Sequence, residues 1–250
     1  MNDSKTMVLY GGGSPNVRKV GIMLEELGLP YELRFVNVFG SEQLAPQFLA
    51  MNPLGKIPVL MDPALGHPLF ESGAILFYLA ERYGKFFPTG GAARYEVMQW
   101  LMVQMASVGP MLGQFTHFHI VLRPGTEPYA EGRYGAQAER LYRLLDDRLA
   151  SQPWIAGGEY SIADMATYPW TLYLKPHGFT PDNYAALTRW CDTIGARPAV
   201  ARCNARFNEA FGEATNRARQ ATTDEDLDVF FGRTAAVPPA DFSAVKTFGG

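Results

Sequence analysis

Three short stretches hold residue types that could grip a small zwitterion. The first, Ser14-Pro15-Asn16, follows a glycine-rich turn, Gly11-Gly12-Gly13. Serine is a favoured helix N-cap and proline a favoured first helical residue, so the pattern starts a helix. The same geometry gathers a hydroxyl, a side-chain amide and free backbone N–H groups at the positive end of that helix. Such a place stabilises an anion, a thiolate included. The second stretch is Lys56-Ile57-Pro58-Val59. A proline that opens an apolar strand removes a ladder donor. A cis Ile57–Pro58 bond would bend the loop and leave the Ile57 N–H and C=O to pair with something other than protein. A trans proline on an edge strand fits the same residues. The third is Phe70-Glu71-Ser72-Gly73-Ala74-Ile75. Ser72 is a natural N-cap, and a carboxylate could sit on its hydroxyl and the first free N–H groups. Glu71 beside it could pair with an ammonium. Together they make a receptor for an α-amino acid head group; the plain alternative is a capped helix next to a solvated glutamate.

The elements that must carry these residues follow from spacing. Met7-Val8-Leu9-Tyr10 reads as a strand that feeds the glycine turn. Val17, Val20, Gly21, Leu24 and Leu27 recur at helical steps until Gly28-Leu29-Pro30 stops them. Tyr31–Val38 then reads as a second strand, which completes a βαβ unit with parallel strands and a right-handed crossover. After a short helix near Pro46–Ala50, Ile57–Met61 and Pro68–Phe70 flank a turn with Asp62-Pro63 and Gly66, as an antiparallel hairpin would. A helix begins at Ser72 with Ile75, Leu76, Leu79 and Tyr83 as its apolar stripe.

The Gly/Pro-rich run Gly84–Gly91 reads as a linker. Helical segments follow at about 92–121, 129–150, 162–174, 182–196 and 198–211. This predicts an α/β domain over 1–88, an all-helical domain over 92–212, and an extension over 213–250, irregular or surface-wrapping, in which Ala235–Ala240 cannot continue a helix. Gly11-x-Gly13-x-x-Asn16 lacks the third glycine of a dinucleotide fingerprint, and no acidic residue closes the next strand, where Asn37 is the nearest polar candidate.

Composition narrows the possible chemistry. The chain has 250 residues and a formal net charge of −3, which gives no bulk attraction to nucleic acid or an anionic membrane. Its apolar runs fall short of the roughly 20 residues of a membrane span. Met1–Thr6 lacks the basic and apolar regions of a secretion signal. Cys191 and Cys203 are too few for a disulfide scaffold or a four-cysteine zinc site, so reduced thiols in the cytoplasm are expected. His117 and His119, at i, i+2, do not share a helical face, so no metal pair is expected. Without Cys-x-x-Cys the chain has no dithiol relay of its own.

Ser14-Pro15-Asn16, Asn52-Pro53-x-Gly55-Lys56-Ile57-Pro58-Val59 and Glu71-Ser72-Gly73-Ala74-Ile75-x-x-Tyr78-Leu79 stand in the order and spacing of the glutathione transferase superfamily. Ser161-Ile162-Ala163-Asp164 resembles that family's buried capping box. The resemblance covers about residues 7–212. Gln99-Trp100, Gly109-Pro110-Met111, Gln114, His117-Phe118, Tyr129, Arg133-Tyr134 and Pro153-Trp154-Ile155 make the chain most similar to the bacterial Nu class, with serine at position 14 where threonine is typical.

The resemblance implies a thioredoxin-like N-terminal domain and an all-α C-terminal domain. It implies glutathione as cosubstrate, with no metal. Glu71 and Ser72 would hold the γ-glutamyl group, the Ile57 backbone the cysteine, and Lys56 the glycine carboxylate or a nearby acid, with Gln43 a further contact. The thiol would meet Ser14 and Asn16, with Tyr10 a secondary candidate. Arg133 would serve a second tripeptide, since Nu-class proteins resemble disulfide reductases and hold two glutathiones or the disulfide. A homodimer through the helix of 92–121 is expected, with a hydrophobic or disulfide small molecule as substrate. An aryl-ether lyase, suggested by the aromatics and methionines of residues 98–118, and a non-enzymatic binding protein are the alternatives.

Overall fold

The computed structural model of the protein describes residues 6–122 and 125–233, so Met1–Lys5 and Ala235–Ala240 lie outside the described residues. The chain divides into two compact units. Among the described residues, 6–79 join 198–233 in the first, and 80–197 belong to the second.

In the first unit β1 (Met7–Gly11), α1 (Pro15–Leu27) and β2 (Tyr31–Phe35) form the expected βαβ unit, with Leu9 level with Leu33 in a parallel pair. Ser14 caps α1, Pro15 is its first residue, and Gly28 ends it in the left-handed region at φ 67°. That conformation costs glycine nothing. A one-turn helix α2 (Pro46–Leu49) precedes the hairpin of β3 (Val59–Met61) and β4 (Pro68–Phe70). The sheet order is β2-β1-β3-β4, with β3 antiparallel to β1. Helix α3 (Ser72–Tyr83) buries Ile75, Leu76 and Leu79 completely. Its Tyr78 hydroxyl donates to buried Asp62 at 2.9 Å, which ties the helix to the hairpin turn.

The late helices of this unit pack on α1 and β2. A Cβ on Gly21 would stand 2.4 Å from the Phe207 ring and 2.8 Å from Cys203 Sγ, so α1 and α9 (Pro198–Phe207) meet at a distance only glycine allows. Glu25 clamps the same pair: Tyr31, Arg202 and Arg206 each donate to its carboxylate at 3.0 Å. Burial works against that carboxylate, yet the three donors hold it below the usual glutamate range. Beyond α9 the expectation of irregular chain gives way to α10 (Glu213–Ala221) and α11 (Asp224–Phe230). Thr223 and Asp226 form a reciprocal capping box at the start of α11, and Phe230 packs 4.9 Å from Phe39.

Among the described residues, the regular structure of the second unit is helical apart from one isolated bridge between Trp154 and Gly157. The predicted helix of 92–121 is α4 (Gly91–Val103) and α5 (Gly109–Thr116), each followed by a five-residue π-helical turn. Helix α6 (Pro128–Ser151) packs against α5 and α8 (Ala185–Gly195), and α7 (Ile162–Thr171) against α4. Arg148 of α6 bonds the Glu96 carboxylate, donates to the Ile155 carbonyl at 3.0 Å, and lies over the Trp100 ring. Helix α7 is the centre of this core, with Ile162, Ala163, Asp164, Met165 and Ala166 all fully buried.

Candidate functional site

Every candidate contact for one tripeptide lies in the first unit, at the ends of its elements. At the start of α1 the half-buried Ser14 Oγ accepts from Asn16 N at 3.3 Å. A hydroxyl that accepts this way keeps its own proton to donate. Ser14 N itself donates to the Gly12 carbonyl at 2.8 Å, so the glycine turn closes on itself and presents the cap. Half-buried Asn16 adds an amide, and the helix dipole adds partial positive charge. Thr215 of α10 stands against the turn: a Cβ on Gly13 would lie 3.4 Å from its Oγ1, a buried atom without a partner. Sequence reasoning missed Thr215, because the irregular reading of the late chain hid α10.

The second group is the 41–57 loop. Buried Asn52 organises it, donating to the Lys56 carbonyl at 2.6 Å and accepting from Leu54 N at 3.1 Å. Gly55 has φ 59°, and a Cβ there would stand 3.1 Å from the Gln43 carbonyl, so the two arms of the loop close only on glycine. Lys56 is left exposed, and the Ile57–Pro58 peptide is cis. Gln43 is 5 % exposed with its Oε1 buried and unpartnered, an atom that calls for a donor.

The third group opens α3. Ile75 N donates to the Glu71 carbonyl at 2.9 Å, so Glu71 occupies the cap position and the helix begins at Ser72, one residue earlier than a Ser72 cap implies. Glu71 is an exposed non-glycine residue at φ 67°, in the left-handed region. Such strain gathers at functional sites. Ser72 is buried, and Lys19 Nζ of α1 donates to its Oγ at 3.4 Å. Burial pulls the Lys19 ammonium down to about 7, against the Glu71 carboxylate, which favours the charged form.

Tyr10 packs on the Val36–Phe48–Val59 cluster, with the Arg34 guanidinium 5.8 Å over its ring. Arg133 belongs to the second unit, where it is exposed on α6 and lines an open groove with Tyr129, Gly132 and Gln137. Burial pushes the Cys191 thiol up to about 11 and Cys203 up to about 12, so neither offers a thiolate near neutral pH. His119 bonds Glu131 at 2.8 Å, and no group of three His, Cys, Asp or Glu that could hold a metal occurs among the described residues. Also among the described residues, no helix is long and apolar enough to cross a membrane.

Comparison with known proteins gives the family. Residues 5–81 match the glutathione S-transferase N-terminal domain, and residues 113–198 the C-terminal domain. The disulfide-bond oxidoreductase YfcG of Escherichia coli is 42% identical over 197 residues, covering 77% of this chain and 91% of YfcG. YghU of the same organism, also a disulfide-bond oxidoreductase, is 36% identical, covering 87% of this chain and 83% of YghU. A crystal structure of a glutathione transferase family member from Pseudomonas fluorescens with two glutathione bound superposes with a TM-score of 0.74 at 40% identity, covering 81% of this chain and 94% of that one. With both domain models matched and these relatives covered nearly end to end, the chain belongs to the glutathione S-transferase superfamily.

Proposed function

We propose that the protein is a glutathione-dependent disulfide-bond oxidoreductase of the Nu type, in which the sulfur chemistry belongs to the ligand. The observation that carries this reading is the start of α1, where Ser14 and Asn16 present a hydroxyl and an amide at a helix N-terminus, while burial keeps the protein's own two thiols protonated. Donors there favour the thiolate of bound glutathione, which is the nucleophile. That thiolate attacks one sulfur of a substrate disulfide; the other sulfur leaves as a thiolate and takes up a proton. A second glutathione thiolate then attacks the mixed disulfide, giving glutathione disulfide and the second substrate thiol.

In this reading Glu71 pairs with the γ-glutamyl amine, Ser72 and the start of α3 receive its carboxylate, and the Ile57 backbone holds the cysteine. Lys56 takes the glycine carboxylate, and Gln43, whose buried Oε1 calls for a donor, is a further contact. Arg133 serves the second tripeptide, and Tyr10 is the secondary candidate near the thiol. The two glutathiones in the P. fluorescens relative support a site for both. Residues 1–88 form the glutathione-binding domain, 92–212 the substrate and dimer domain, and 213–250 an extension. Exposed Tyr95 and Met102 on α4, with Tyr129 and Leu144 on α6, support a homodimer through these helices. Free thiols at Cys191 and Cys203 and the need for glutathione support a cytoplasmic setting.

Steady-state reduction of bis(2-hydroxyethyl) disulfide by glutathione tests the reading. Saturable turnover that yields glutathione disulfide and mercaptoethanol is expected. A thioether product from an aryl-ether substrate, with no disulfide turnover, would replace it with the lyase alternative. Absence of glutathione binding in calorimetry would leave a non-enzymatic protein.

A further inference from the structure

Lys19 is 1 % exposed, and among the described residues no other lysine or arginine is buried. Its place in α1 is flanked by Val17, Val20 and Met23, all fully buried. A core ammonium is costly unless it is used, and a methionine of similar reach would pack there without that cost. The ammonium instead reaches the first residue of α3, 3.4 Å from Ser72 Oγ.

Hydrogen-bond polarity gives this contact a direction. In its charged form Lys19 only donates, so Ser72 Oγ then accepts along this contact and its hydroxyl proton points away from the ammonium. Glu71 precedes Ser72 in a left-handed conformation, and its carboxylate interacts electrostatically with the same ammonium, so a carboxylate, a hydroxyl and a buried lysine meet at one helix start. We propose that Lys19 is a positioning residue of the γ-glutamyl subsite: acting through Ser72 Oγ, it aims the hydroxyl proton at the ligand α-carboxylate and sets a positive charge behind it. The inference rests on the assignment of Glu71 and Ser72 to the γ-glutamyl group. A carboxylate that arrives at Ser72 in turn favours the charged form of Lys19.

Calorimetry with two probes separates the inference from that assignment: glutathione, and 4-aminobutyryl-cysteinyl-glycine, which lacks only the α-carboxylate. The unaltered protein should prefer glutathione; if it binds both alike, the subsite assignment fails and the role of Lys19 falls with it. Lys19→Met should weaken glutathione about tenfold and the analogue less than about twofold, since a charge-assisted contact serves only the first. The KM for glutathione should rise by the same factor while kcat stays within about twofold. In a Ser72→Ala background Lys19→Met should change nothing further. Equal losses for both probes, or a loss that persists without Ser72, would show a merely structural lysine. Lys19→Arg, which keeps the charge, guards against misfolding of the methionine variant: it should retain the preference for glutathione, and loss of that preference in a folded protein overturns the proposal.

Discussion

The start of α1 and the start of α7 use the same residue at the same position to opposite ends. Each helix has a serine N-cap with extended backbone whose hydroxyl accepts from an N–H two residues on. At α7 the arrangement is closed. Asp164 accepts from Ile155 N and Trp190 Nε1 at 2.9 Å, from Ser161 N at 3.0 Å and from Ser161 Oγ at 3.1 Å. Burial pushes its carboxyl above the ordinary aspartate range despite those donors. At α1 the third residue after the cap is Val17, not an acid, so the first turn carries no carboxylate to close a capping box. The Ser14 proton and the Asn16 amide stand half-buried there instead. A helix start thus becomes structural when the chain supplies its own anion, and receptive when it does not.

The largest expected effect follows from opening the closed box. Asp164→Ala strands two backbone donors and the Trp190 indole in a buried core. Each stranded group costs about 1–3 kcal/mol, so a loss of about 4 kcal/mol or more is expected. It should appear as a lower urea midpoint at unchanged slope. A loss under about 1 kcal/mol would mean that water replaces the carboxylate, and the contrast between the two helix starts would fail. Asn16→Ala should do the reverse. Disulfide turnover should fall about 100-fold, the scale seen when one donor to a developing anion is removed, while the urea midpoint holds within about 0.5 kcal/mol. Full activity in this variant would remove the thiol from α1.

How much of this was readable from the residues depends on range. The two serine caps, the βαβ unit, the hairpin and the box at Ser161 rest on neighbours a few positions apart, so the sequence shows them. Lys19 does not show, because a lysine two residues after Val17 reads as solvated until the chain places Ser72 opposite it. The unpartnered Oε1 of Gln43 and the left-handed Glu71 are likewise set by packing between distant segments. The late helices are a different case. Their polar composition hid them, yet Thr223-x-x-Asp226 carries a capping signal that could have located α11. The clamp that joins α9 to α1 spans Glu25 to Arg202 and Arg206, a separation no local pattern expresses.

The serines themselves give a finer test. Ser161→Ala removes an oxygen that both accepts from Ala163 N and donates to Asp164, so about 1–2 kcal/mol of stability should be lost. Ser14→Ala removes one 3.3 Å bond at a wetter position and should cost about 0.5–1 kcal/mol, with its main effect on turnover. Ser14→Thr keeps the hydroxyl and should preserve turnover. If Ser14→Ala proves the more destabilising of the two alanine variants, the α1 cap is structural after all.

The smallest expected effect lies in another closed polar group of the second unit, and its sign is fixed by hydrogen-bond direction. Thr116 Oγ1 donates to the Leu112 carbonyl at 2.8 Å, so at 2.9 Å it must accept from His177 Nε2. His177 Nδ1 is then unprotonated and accepts from the Tyr142 hydroxyl at 2.8 Å. A second proton has no place in this chain, and burial holds the His177 pKa down to about 3. The unfolded chain takes up that proton near its ordinary value of about 6.5. Between these values the unfolded state binds more protons, so the contribution of His177 to stability is complete above about 6.5 and is lost as pH falls toward 3. Lowering pH from 7.5 to 6.0 should therefore cost about 0.8 kcal/mol through this residue. Urea midpoints at the two pH values, compared with those of His177→Gln, isolate the term from the His119–Glu131 pair. An equal pH dependence in both proteins would show that His177 takes up its proton within the fold, and that this polar group is as open as the start of α1.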